Sequence, residues 1–374
     1  MLSFTYRKKR IFGLDILRAA AILFVVYAHG YDCLSGSHFN RKLYILPVIL
    51  DGPTVFFVLS GFLVGGIIIK LSEKNNLNNT SNLFHFWKRR WLRTLPNYYL
   101  ILLLLTLYWI FFVHMQYPFW FYFKYVFFMQ NFASFKHMFF LESWSLAIEE
   151  WFYFLFPILF LLSFLSTKKK RLSIIITTCL FVFIPFSLRI IYYFNGIGLG
   201  DAKAFYRATV LLRLDSIGYG VVGAYIGYYH KEAWLKHKNT LLIFGISLML
   251  FVKILLLFKE PPLFYSAVLR HSLLPAFVFL CLPFLSVYQP VNRNILHRII
   301  TYVSIVAYSM YLVNLTPLLG VVLPLLENKL HLLSHDNYLL IYAFYWVLTI
   351  AGSYILYLFV ENPAMRWRDR IFQR

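Results

Sequence analysis

The sequence predicts an all-α integral membrane protein of about ten transmembrane helices with both termini cytoplasmic. Composition is the first observation behind this. In 374 residues, 60% are hydrophobic, 21% aromatic and 14% charged, and the mean hydropathy is +0.67, which fits a soluble globule poorly. The second is a series of apolar runs near the ~20 residues that a spanning helix needs, at 14–33, 44–69, 95–114, 143–165, 172–194, 210–229, 240–258, 264–286, 300–326 and 338–360. The third is where the net charge of +21 sits. With a cytoplasmic N-terminus, 23 of the 36 Lys and Arg fall in the inner segments, 8 in the outer loops and 5 within spans. This is the positive-inside bias, so the basic excess is topological and calls for no nucleic-acid partner.

The first run follows a basic start, but it is long, has no small-residue cleavage pattern and contains Asp15, Arg18 and His29, so it reads as a retained span. Ionisable residues at this depth usually face a cavity or one another. Eleven residues at 100° each bring Arg18 and His29 to within about 20° of the same helix face, with a rise of about 16 Å. Asp15, three residues before Arg18, joins that side. The alternative is a snorkelling Arg and an unrelated, hydrogen-bonded His. A neutral imidazole here can act as general base or as nucleophile, which makes His29 the candidate reacting group. Arg18 and Asp15 lie too far along the helix to touch it, so they would orient a donor or stabilise packing.

The second run opens DGPTVFFVLSGFLVGG. Gly52-Pro53 is expected to interrupt the helix, and Ser60-Gly61 with Gly65 and Gly66 to permit close backbone approach. Such backbone suits a cavity wall, with Ser60 as a candidate substrate contact, but is more simply a Gly61-to-Gly65 packing seam. Next comes HFWKRRWLRTLP, in which Arg90 and Arg93 stand at i and i+3 near an expected helix start. Guanidinium forks and a helix N-terminus both bind phosphate; topology alone would also place basic residues here.

The third span is followed by an aromatic stretch, 118–132, with Lys124 and Gln130, too short to cross and read as interfacial or re-entrant. The fourth span opens WSLAIEEWFY. Adjacent helical positions diverge by 100°, so one of Glu149 and Glu150 at most should face the same cavity as His29, where it could orient or protonate an acceptor. The bland reading is a hydrogen bond to Trp144 or to a Tyr. Cys33, Cys179 and Cys281 are far apart and read as packing residues, not as a disulfide framework or a zinc site. No repeat or Gly/Ser linker divides the chain, so residues 1–374 are expected to form one membrane-embedded domain without an appended soluble one.

Together these segments resemble the acyltransferase family 3 proteins, membrane O-acyltransferases that decorate bacterial surface glycans and some small molecules. The likeness is ordered, running from LDILRAAAILFVVYAHG through FFVLSGFLVG, RRWLRTLP and WSLAIEEWFY, and continuing in RLDSIGYG, YSMYLVN and ENP. It implies His29 as the catalytic group with Arg18 as its motif partner, Glu149 as the fourth-span Glu, and Arg90 with Arg93 as the cytoplasmic pair. Arg18 would also lie beside the donor, and Asp15, Ser60, Glu150 and Tyr153 would serve substrate binding. The implied donor is acyl-CoA, in the first place acetyl-CoA, with no metal. The implied acceptor is a surface or periplasmic carbohydrate, and the location a bacterial inner membrane. One departure stands out: many members have His where this chain has Asn314. A polytopic transporter or flippase of a glycan or lipid-linked intermediate is the competing reading. A glycan polymerase is disfavoured by the modest, hydrophobic outer loops.

Overall fold

The computed structural model describes residues 10–34, 51–74, 80–114, 117–135, 139–257, 261–292, 294–328 and 338–372, and every regular element in them is helical. In chain order these are α1 (Phe12–Gly30), α2 (Gly52–Glu73), α3 (Thr80–Phe111), α4 (Phe119–Val126), α5 (Ser143–Thr167), α6 (Lys170–Phe194), α7 (Ala202–Ala208), α8 (Leu214–Tyr229), α9 (Lys231–Lys236), α10 (Lys238–Leu257), α11 (Tyr265–Leu285), α12 (Ile295–Leu326) and α13 (Tyr338–Phe372). Among the described residues, nine are long and apolar enough to cross a bilayer: α1, α2, α3, α5, α6, α10, α11, α12 and α13. The protein is an all-α integral membrane protein.

The remaining expected span, the sixth at 210–229, is α8, whose 16 residues fall below the usual ~20. It nevertheless traverses the same layer as α2. Arg213, just before α8, donates to Thr54 in the first turn of α2 at 2.8 Å, and Tyr229 at the far end donates to Glu73 at 2.5 Å. A helix enclosed by other helices needs no full apolar length of its own. The glycines of α2 and α8 explain how closely these two approach. A Cβ on Gly61 would strike the carbonyl of Ile217, and one on Gly220 would strike the carbonyl of Val58. Gly61 and Gly65 thus form a packing seam, and Ser60 is left to face the other way.

Three local expectations are corrected. Gly52 and Pro53 do not interrupt α2; they begin it, with Pro53 in the first turn, where its missing N–H costs nothing. Residues 44–50, expected in the same span, lie outside the described residues. The third span does not begin near 95. Its helix starts at Thr80 and continues through Pro96, because the basic residues that lower hydropathy there are also good helix formers. Arg90 is therefore ten residues into α3, about 15 Å from its N-terminus, and the helix end contributes nothing to a site at Arg90 and Arg93. The aromatic stretch after α3 holds the 8-residue α4 and does not span.

Alternate helix ends collect on common faces. Gln289 after α11 donates to the Arg10 carbonyl, Lys170 at the start of α6 pairs with Glu73 at the end of α2, and Phe372 meets His85 and Arg89 near the start of α3. These segments form a basic face; Asp51, Trp144 and Arg207 lie at the opposite one. The central core joins Ile22 and Val26 of α1 to Phe57 and Val64 of α2, Phe152 and Phe156 of α5, and Ile217 and Val221 of α8. Large apolar side chains stay exposed on the perimeter, among them Leu103 and Leu104 of α3 and Phe244 and Ile254 of α10, as lipid-facing surfaces require.

Candidate active site

Between α1, α2, α3, α5, α12 and α13 lies a cleft holding about 900 Å³ of empty space, open solvent included. Its wall gathers residues expected from four separate sequence segments: Arg18, Ser60, Arg90, Arg93, Glu149 and Tyr153. The helical registers explain the convergence. Glu149 and Tyr153 are one turn apart on α5, and both reach Ser60 across the cleft. Glu149 accepts from the Ser60 hydroxyl at 3.0 Å and from the Tyr153 hydroxyl at 3.0 Å, while the two hydroxyls are 3.1 Å apart. Arg90 and Arg93, three residues apart, present their guanidinium groups to the same space. Arg90 lies over the Phe86 and Tyr153 rings, 5.9 and 5.8 Å from their centroids. Among the described residues neither guanidinium has a hydrogen-bond or ion-pair partner, so their planar donors are available to a ligand.

Asp15 and Glu150 are not on the cleft wall. Asp15 is buried behind Arg18, accepting from Arg10 at 3.0 and 2.5 Å, from Arg18 at 3.4 Å and from Ser304 at 2.8 Å. It fixes the Arg18 side chain and neutralises part of its charge. Glu150 diverges from Glu149 as the helix requires and takes the Thr94 hydroxyl at 2.8 Å. The sequence left Glu361 without a role beyond the ENP resemblance. It lines the cleft and accepts from Ser309 at 2.5 Å and Asn97 at 3.4 Å.

Arg18 and His29 do share a face, and that face packs on α12: Arg18 donates to Ser304 at 3.3 Å, and His29 meets Asn314 ten positions later. His29 is not on the cleft wall. Its Nδ1 is 2.6 Å from Asn314 Oδ1. The Asn314 amide cannot be turned without loss, because its Nδ2 donates to the Met310 and Tyr311 carbonyls, both at 2.8 Å. Its oxygen therefore faces His29, Nδ1 carries the ring proton as donor, and Nε2 is left with a free lone pair. That is the tautomer a general base requires.

Asn314 opens a π-helical stretch, Asn314–Val322, inside α12. Such widening frees backbone groups, and Glu142 takes one of them: its carboxylate accepts the Thr316 N–H at 3.2 Å and the Thr316 hydroxyl at 2.5 Å. Between this clamp and the cleft, Tyr311 and Ser145 line the cleft end nearest Asn314, their hydroxyls 2.6 Å apart. Sequence reasoning noted Asn314 only as a departure from the family pattern and passed over Glu142 and Tyr311. The YSMYLVN motif was a signal for Asn314 and Tyr311; nothing local marked Glu142. The three cysteines are free thiols; Cys281 is buried and Cys33 half-buried, whereas Cys179 is exposed and does not fit the packing reading.

Comparison with known proteins identifies what the chain is similar to. Over 239 residues the chain is 31% identical to an O-acetyltransferase OatA of Staphylococcus aureus (strain NCTC 8325 / PS 47), an alignment covering 59% of this chain and 35% of that protein. Over 185 residues it is 30% identical to a peptidoglycan O-acetyltransferase OatA of Listeria monocytogenes serovar 1/2a, covering 44% of this chain and 26% of the relative. The matched region thus spans about a quarter to a third of these relatives' length. No solved structure matches the chain. A family described as an acyltransferase domain matches residues 11–358, nearly the whole chain, and the protein belongs to that family, acyltransferase 3.

Proposed function

We propose that the protein is a membrane O-acetyltransferase that moves an acetyl group from acetyl-CoA, bound from the basic face, to a carbohydrate hydroxyl at the opposite face. The positive-inside bias supports a cytoplasmic basic face, and the family resemblance supports a bacterial inner, cytoplasmic membrane. One observation carries the reading: a single cleft collects Arg18, Arg90 and Arg93 from two helices, and the helix that supplies Arg18 holds His29 about 16 Å further along the same face.

Arg90 and Arg93 would hold donor phosphates, with the pantetheine arm extended past Arg18 and along α1 toward His29. His29 Nε2 takes the proton of the acceptor hydroxyl, and the oxygen attacks the thioester carbonyl. The new C–O bond forms, the C–S bond breaks, and the sulfur leaves as thiolate to be protonated. Asn314 keeps the imidazole in the required tautomer and shares the positive charge that the ring acquires. Glu149, tied to Ser60 and Tyr153, braces the cleft wall opposite the arginines.

The test is to incubate purified protein with acetyl-labelled acetyl-CoA, with and without an oligosaccharide from the producing cell's surface. The expected result is acceptor-dependent release of free CoA with label in ester linkage to sugar. Uptake of saccharide into proteoliposomes without CoA release would replace this reading by transport.

A further inference from the structure

At the face opposite the basic one, three segments distant in sequence meet at Arg207. This residue closes α7, the short helix capped by Asp201. Its guanidinium lies 5.2 Å from the ring centroid of Trp144, in the first turn of α5, and its Nη2 is 3.3 Å from Oδ1 of Asp51, the residue that precedes α2. The side chain is nevertheless 48% exposed. Stacking and ion pairing fix the guanidinium before any ligand arrives, which lowers the ordering cost of binding.

Asp51 does not neutralise Arg207 alone. Its other oxygen accepts from Thr54 and lies 3.9 Å from Arg213, a fully buried guanidinium whose Nη1 is held by His271 Nδ1 at 2.6 Å. Behind these, Arg189 is paired with Asp215 at 2.6 Å. Among these described residues, Arg207 and Arg213 thus share the one carboxylate of Asp51, while Arg189 takes Asp215. An excess of buried positive charge is costly without a counter-charge, and Arg207 is the member that reaches solvent. Arg207 also lies within electrostatic reach of His29 and Tyr311.

From this arrangement we infer that Arg207, preordered by Trp144 and Asp51, is an acceptor subsite for a carboxylate carried by the carbohydrate near its accepting hydroxyl. The inference deepens the transfer function proposed above and rests on it for the identity of the ligand. The guanidinium edge not turned to Asp51 can hold a carboxylate through planar hydrogen bonds. A neutral sugar would leave the excess charge uncompensated.

Binding is measured without turnover, by saturation-transfer NMR on the detergent-solubilised full chain, using methyl β-D-glucuronide and methyl β-D-glucoside. The wild type should bind the glucuronide about tenfold more tightly, as one charge-assisted contact provides. Arg207→Gln should remove that preference and Arg207→Lys should restore part of it, with acetyl-CoA affinity serving as the check that each variant is folded. Equal binding of both glycosides by the wild type overturns the subsite, as does an undiminished preference in Arg207→Gln. Should Arg207→Gln fail the folding check, Arg207→Lys decides: a reduced preference supports the subsite and an unchanged one overturns it. A protein that binds glucuronide through Arg207 yet transfers no acetyl group to any sugar retains the anion site and loses the transfer reading.

Discussion

His29 Nδ1 and Asn314 Oδ1 lie 2.6 Å apart, joining two residues separated by 285 positions in the chain. Because the Asn314 amide nitrogen is committed to two carbonyls of its own helix, the contact sets the imidazole tautomer as well as its position. His29→Ala should therefore lower kcat by the ~10²–10⁴-fold typical of a lost general base, with expression and membrane insertion unchanged. Asn314→Ala should give a smaller loss, since the base remains but is no longer oriented. The contrast is read from initial rates at saturating acetyl-CoA. Equal losses in the two variants would assign Asn314 more than an orienting role, and wild-type turnover in His29→Ala would remove the catalytic assignment altogether.

The two adjacent carboxylates of α5 should separate cleanly. Glu149 faces the cleft and ties Ser60 to Tyr153, whereas Glu150 is turned to Thr94. Glu149→Gln keeps the volume but breaks the charge-assisted pair of hydrogen bonds, so it should impair transfer by about tenfold or more. Glu150→Gln retains an oxygen for the Thr94 hydroxyl and should alter transfer less. Rates of both variants, normalised to folded protein by size-exclusion chromatography, check the order; the reverse order would show that the wrong carboxylate has been placed at the site.

Much of this site could be read from the sequence because it follows from helix geometry. The 100° step put Arg18 and His29 on one face, and α12 meets both. The same step separated Glu149 from Glu150. Contacts made by distant segments were hidden. Nothing local to Asn314 or Glu142 shows that one will hold His29 and the other the widened turn after it. Hydropathy also misplaced the start of α3, because Lys88, Arg89, Arg90 and Arg93 look like a loop to a membrane scale while being compatible with helix. The short α8 was read as an ordinary span because its enclosure by α2 and other helices is a tertiary fact.

The unengaged guanidinium groups of Arg90 and Arg93 predict a donor-specific defect. Changing both to Ala should raise the KM for acetyl-CoA by about 10–100-fold, the scale of lost charged hydrogen bonds, and leave the acceptor KM nearly unchanged. Changing both to Lys keeps the charge that topology requires but loses the planar fork and the stacking on Phe86 and Tyr153, so only part of the affinity should return. A Cys placed in the 75–79 segment reports orientation: it should stay protected from an external, membrane-impermeant thiol reagent. Unaltered donor affinity in the double-Lys protein, with the Cys still protected, would confine these arginines to topology.

Stability should depend on the fully buried pair Arg189 and Asp215, which are 2.6 Å apart with Ser272 also held by Arg189 at 2.6 Å. The pair links α6 to α8, and neither side chain is exposed. Replacing Arg189 by Met would leave the Asp215 carboxylate without its cation, at a cost of about 3–5 kcal/mol. Replacing both, as Arg189→Met with Asp215→Leu, removes the stranded charge together with its partner. The double variant should therefore be closer to wild type than the single Arg variant, because most of the single-variant loss is the penalty of an uncompensated charge and not the worth of the pair. Thermal unfolding in detergent, followed by size exclusion for all four members of the cycle, measures the coupling. Additive losses would mean that Arg189 stabilises the protein through its contacts with Ser272 and the Leu212 carbonyl, and that Asp215 is compensated by Arg213 instead.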